Sequence, residues 1–88
     1  MTREITYLEG GRMLVLGWDR PFQTWYAQLY DDHNENKPPR IVIGYNPVEV
    51  SILADERPEA KVGPYPVKTR EGLYELIKAI MGLEVPHA

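Results

Sequence analysis

Thr69-Arg70-Glu71-Gly72-Leu73-Tyr74-Glu75-Leu76-Ile77-Lys78-Ala79-Ile80-Met81-Gly82 sets Leu73, Leu76, Ile77, Ile80 and Met81 three and four residues apart. That spacing lines them up on one stripe of an α-helix. Thr69 offers a side-chain cap for the start and Gly82 a stop. Glu71, Glu75 and Lys78 fall on the opposite side. Glu71 and Glu75 repel mildly, and Glu75 with Lys78 offsets that. The spacing therefore predicts an amphipathic helix over 70–81. Each buried apolar side chain on it contributes about 1.5–3 kcal/mol before ordering entropy. Such a helix needs a surface to cover.

Working back from that helix, residues 3–45 supply the surface as strands. Ile5 and Tyr7 alternate with Thr6 and Leu8 before Gly10-Gly11, a pair able to take the positive φ of a tight turn. Met13-Leu14-Val15-Leu16 returns the chain, and Gly17 inside the run marks a bulge or a close backbone approach. Asp19-Arg20-Pro21 breaks it again. In residues 22–30 both alternating sides mix polar and apolar groups, and Trp25, Ala27 and Leu29 are taken as the inward set. Ile41-Val42-Ile43 is a β-branched run. Short connections favour antiparallel pairing.

The expected fold is thus α+β: a single domain, 1–88, with an antiparallel four-stranded meander at about 3–8, 12–18, 22–30 and 40–45. The helix 70–81 packs on it. Between them, Asn46-Pro47 with Glu49 has the form of a capping box, while Val48, Val50 and Ile52 alternate like a strand. A short helix within 47–57 is the preferred reading. Residues 59–67, with Pro64 and Pro66, are expected to be an extended connector.

Composition removes whole classes of function. There is no cysteine among the 88 residues, which excludes disulfides, thiolate nucleophiles and zinc–thiolate sites. A core this small without staples favours pairing with a second copy. The net charge of −3 comes without a basic block, which disfavours duplex nucleic acid as a partner. The longest uninterrupted apolar run is residues 13–16, far short of the roughly 20 a membrane helix needs. No membrane partner is expected, and cytoplasm is the expected compartment.

Constellations for chemistry are sparse. The histidines are His33, in the polar loop 31–39, and His87, and the sole serine is Ser51. Asp32-His33-Asn34-Glu35-Asn36 opens like a calcium loop, but Lys37 replaces the turn glycine and Ile43 the bidentate glutamate. Gly10-Gly11 lacks the phosphate-loop frame, and one Trp18-Asp19 pair does not make a propeller. No catalytic residue, metal or cofactor is expected. Asp19 and Arg20 are read as turn residues that pair with each other. The aromatic content is the feature that stands out. With Tyr26 and Tyr30 pointing away from the helix and Gln28 between them, the sheet presents an aromatic and polar face. Tyr26, Gln28, Tyr30, Trp18 and Arg20 are the candidate partner-binding residues.

Gly17-Trp18-Asp19-Arg20-Pro21-Phe22-Gln23-Thr24-Trp25-Tyr26-Ala27-Gln28 resembles a run in small bacterial proteins with a G-W-D-R-P-x-Q-T core. The resemblance spans about a seventh of the chain. It implies a bacterial origin and carries over no activity and no functional residue.

The function expected from all this is a small non-enzymatic protein-binding or regulatory module, its partner another protein or itself as a homodimer. One alternative is a small enzyme or a metal- or ligand-binding protein using the Asp31-Asp32-His33 loop. Another is weak binding of single-stranded nucleic acid by the aromatic sheet face.

Overall fold

A computed structural model describes residues 3–85. Its fold is α+β, with one five-stranded mixed sheet and two helices. The strands are β1 (Arg3–Tyr7), β2 (Met13–Asp19), β3 (Thr24–Tyr30), β4 (Ile41–Ile43) and β5 (Lys61–Val62). They lie in chain order across the sheet. The first four pair antiparallel, Ile5 opposite Val15, Val15 opposite Gln28 and Gln28 opposite Val42. Helix α1 (Pro47–Glu56) links β4 to β5, and α2 (Arg70–Leu76) follows.

The meander is as expected, with three differences. β5 pairs parallel to β4, Ile41 with Lys61 and Val42 with Val62, where an unpaired connector was expected. Helix α1 carries the chain back so that the Lys61 and Gly63 amides reach the Arg40 and Val42 carbonyls. A two-residue strand ended by Gly63-Pro64 leaves no alternation to read. β3 starts at Thr24, not residue 22, because Gln23 sits at φ 49 and Phe22 N–H donates to Asp19 Oδ1 within the turn. Asp19 therefore caps the turn, and among the described residues it makes no ion pair with Arg20. β4 ends at Ile43 because Gly44 turns at φ +76, where a Cβ would come within 2.0 Å of the Trp25 carbonyl oxygen.

α1 is a helix by virtue of its cap. Asn46 Oδ1 accepts from Val48 N and Glu49 N, while Glu49 Oε1 accepts from Asn46 N and Nδ2. The strand-like alternation of Val48 and Ile52 carries no burial; both are exposed, and Leu53 is the buried residue of this helix. Local hydrogen bonding thus outweighs the apolar pattern.

α2 begins at Thr69, whose Oγ1 accepts from Gly72 N. The helix then widens into a π-turn over Ile77–Met81 and stops at Gly82, φ 68. Residues four apart drift by about 40° in an α-helix. The wider turn brings them back towards one line, so Leu73, Ile77 and Met81 all stay buried. They pack with Leu14, Leu16, Ala27, Leu29, Ile43 and Val67, and Trp25 borders the same cluster. The inward set of β3 is therefore the expected one. Arg70 lies over the Trp25 and Tyr74 rings and pairs with Glu4, fastening α2 to β1.

The second face of the sheet has its own core, Met13, Val15 and Tyr30, with Tyr26 packed on it. The loop 31–39 folds back across this face. It leaves β3, yet His33 meets the Tyr7 ring at 4.6 Å and Glu35 pairs with Arg3, both on β1. Since β2 lies between β3 and β1, the loop passes over Met13 and Val15, 2% and 0% exposed. The loop is thus tied to β1 at two points, while residues 33–37 themselves stay exposed.

Candidate binding pocket

Alternation along β3 sends Trp25, Ala27 and Leu29 towards α2 and leaves Tyr26, Gln28 and Tyr30 on the second face. There Tyr26 lies across Gly17, its cross-strand partner; a Cβ on Gly17 would come within 2.4 Å of the Tyr26 hydroxyl. The close approach expected at Gly17 is thus filled by a tyrosine ring, with no bulge in the register. Gln28 Nε2 donates to Tyr45 Oη at 2.6 Å, fixing the amide and bringing a third phenol to the site.

These side chains form the floor of a pocket of about 390 Å³. Its rim comes from three directions. The end of β2 and the turn after it contribute Trp18, Asp19, Arg20 and Pro21; Arg3 and Glu35 close a second side, and Glu49 of α1 a third. The turn is held by Phe22 N–H on Asp19 Oδ1 and Gln23 N–H on the Arg20 carbonyl. Trp18 borders the pocket at the strand end, but its ring stacks at a tilt on its cross-strand partner Trp25, centres 5.4 Å apart, on the α2 side of the sheet.

Burial sets the protonation of the floor. It pushes the Tyr45 phenol well above its ordinary range, with Gln28's hydrogen bond opposing, and raises Tyr30 as well. Both are neutral hydroxyls at physiological pH. Burial likewise raises the Glu49 carboxyl; the Asn46 N–H opposes this and the nearby Asp19 charge adds to it. The site combines neutral phenols, an ordered amide, one neutralised guanidinium (Arg3) and one that makes no ion pair among the described residues (Arg20). That mixture suits contact with a half-apolar, half-polar surface and supplies no nucleophile beside a base.

The Asp31-Asp32-His33 alternative lies elsewhere. Asp31 and Asp32 border a recess of about 480 Å³ together with Lys37, Glu56, Arg57 and Glu59. Asp31 is held between Arg40 and Arg57, each at 2.8 Å, and the Arg57 hydrogen bond lowers its pKa. Asp32 accepts from Asn34 N, which lowers its pKa, and pairs with Lys37 at 3.1 Å. His33 packs on Tyr7. The three residues face different partners, and among the described residues no three His, Cys, Asp or Glu side chains cluster to hold a metal. His87 lies outside the described residues.

All five candidate residues from the sequence, Trp18, Arg20, Tyr26, Gln28 and Tyr30, line the one 390 Å³ pocket. Arg3, Asp19, Pro21, Glu35, Tyr45 and Glu49 were missed. Asn46-Pro47-Val48-Glu49 did carry a signal, that of a helix cap, but nothing in it announces that the capping carboxylate borders a pocket. An α+β chain with a mixed sheet and an aromatic pocket on the face away from its C-terminal helix is the class defined. Compared with protein families, curated proteins and solved structures, the chain matches none. No helix among the described residues is long and apolar enough to cross a membrane.

Proposed function

We propose that this chain is a small non-enzymatic binding module that recognises another protein through the pocket on the second sheet face. The observation that carries the reading is the convergence of Arg20, Tyr26 and Gln28 on one concavity, floored by the buried phenol of Tyr30 and the half-buried one of Tyr45. Tyr and Arg are among the residues that dominate binding energy at protein interfaces. The string from Gly17 to Gln28 supplies Trp18, Asp19, Arg20, Pro21, Tyr26 and Gln28 to it, so the site is built largely from one hairpin. With Arg3 and Glu35 paired, Asp19 and Glu49 outnumber the guanidinium of Arg20 at the rim, which disfavours phosphate and favours a protein over single-stranded nucleic acid.

The experiment is affinity capture with the wild-type chain beside Arg20→Ala and Tyr26→Ala, each verified as folded by circular dichroism. A partner retained by the wild type and lost from both variants supports the pocket. Equal retention by all three removes it, and fluorescence quenching by an oligonucleotide at low salt would transfer the site to nucleic acid.

A further inference from the structure

We propose that the open edge of β1 pairs antiparallel with β1 of a second copy, about a two-fold axis at Ile5. The direction of the β1 peptide groups carries this. Leu8 N–H donates to the Arg12 carbonyl, so Leu8 and Arg12 form a hydrogen-bonded pair of the β1–β2 ladder. Such pairs alternate along an antiparallel ladder. Thr6 with Leu14 and Glu4 with Leu16 are therefore the bonded pairs, and the N–H and C=O groups of Arg3, Ile5 and Tyr7 point out of the sheet. No described strand lies beyond β1.

This edge is only partly blunted: its charged residues, Arg3 and Glu4, are already paired within the chain with Glu35 and Arg70. It has no proline, lysine or bulge, and its two apolar residues, Ile5 and Tyr7, are 39% and 64% exposed. The opposite edge is protected: β5 has two residues, one of them Lys61, and runs into Gly63-Pro64.

Side-chain complementarity selects the second copy as occupant and Ile5 as the axis. There all three outward residues find partners within the strand: Ile5 bonds its own mate, and Arg3 bonds the mate's Tyr7. On the second face Ile5 then packs on Ile5, and the Arg3 guanidinium stands beside a Tyr7 ring. On the other face Glu4 stands beside Thr6. An axis at Glu4 would set two carboxylates face to face, and one at Arg3 two guanidiniums. An axis at Thr6 would push Arg3 against the Glu9–Gly11 turn, where no strand continues. Five residues per copy make a small interface, so the dimer is weak, with a Kd on the order of 10–100 μM.

Ile5 does not line the pocket, so this proposal and the pocket reading fail separately. The test is sedimentation of the full chain from about 5 to 500 μM, a range set by that expected Kd. A monomer–dimer equilibrium is expected, and Ile5→Pro should weaken it at least about tenfold, because the lost N–H is one the β1–β2 ladder does not use. Should Ile5→Pro unfold, Ile5→Lys, which opposes two ammonium groups at the axis, is expected to weaken the dimer at least about tenfold. Val62→Lys on the opposite edge is expected to leave the equilibrium unchanged. In a chain without cysteine, Ile5→Cys should cross-link to its mate on mild oxidation, since bonded pairs stand about 5.5 Å apart at Cα. A strict monomer throughout the range, an unweakened dimer in the folded Ile5 variants, or the absence of the Ile5→Cys cross-link overturns the proposal.

Discussion

The Tyr26 ring occupies the space that a side chain at position 17 would need: a Cβ on Gly17 would sit 2.4 Å from the Tyr26 hydroxyl and 2.5 Å from its ring carbon Cζ. Glycine here shapes the pocket floor more than it bends the strand. The clash falls on the far end of a side chain that can rotate. Gly17→Ala is therefore expected to cost a modest ~1–3 kcal/mol, typical of overpacking, while turning Tyr26 out of the pocket. Urea unfolding gives the first quantity. Captured partner gives the second, which should fall as far as in Tyr26→Ala.

Gly44→Ala is expected to be far more damaging. The clash there is with backbone, the Trp25 carbonyl oxygen at 2.0 Å, and φ is +76. Neither can be relieved by a rotamer change. A loss above about 3 kcal/mol is expected, combining left-handed strain with a displaced β3–β4 ladder. Gly10→Ala serves as the control. Its φ of +77 is similar and nothing lies within 4 Å, so only about 1–2 kcal/mol of left-handed strain should appear.

Thr24 is fully buried; its Oγ1 accepts from Val67 N at 2.8 Å and donates to the Trp25 carbonyl. This hydroxyl secures the chain between β5 and α2 against β3, alongside the bond from Trp25 N to the Val67 carbonyl. Thr24→Val keeps the shape and strands a buried N–H, so a loss of about 1–3 kcal/mol is expected. Hydrogen exchange at the Val67 amide should accelerate selectively.

Glu49 and Asp31 should affect stability with opposite signs as pH changes. Burial raises the Glu49 pKa in the folded state, so the fold holds this proton more tightly than the unfolded chain. Its contribution improves as pH falls through the folded value and is lost as pH rises through it. Glu49→Gln keeps the capping oxygen and removes the charge. It should raise the Tm at about pH 7 and leave it nearly unchanged at about pH 3. Asp31 is held low chiefly by Arg57's hydrogen bond, so its stabilisation is present above its unfolded pKa and disappears as pH falls through the folded one. Asp31→Asn should therefore lower the Tm at about pH 7 and converge on wild type at strongly acidic pH.

Much of this architecture was legible residue by residue. The stripe from Leu73 to Met81, the Asn46–Glu49 capping box, the turn at Gly10-Gly11 and the inward triad Trp25, Ala27 and Leu29 are local patterns. Periodicity and side-chain hydrogen bonding act within a few residues, so a linear reading reaches them. The same alternation placed Tyr26, Gln28 and Tyr30 on one face, which is why they were expected together on the face away from the helix. Long-range packing set the remainder. β5 exists because α1 returns the chain beside β4, and two residues offer no period. The polar loop 31–39 shows nothing in its composition of where it runs; contacts of His33 with Tyr7 and Glu35 with Arg3 tie it to β1. Glu49 became part of the pocket, and Asp31 a partner of Arg40 and Arg57, through neighbours far away along the chain. Local pattern chooses the elements and their faces; which distant side chains meet depends on how those faces stack, and that information belongs to the folded chain as a whole.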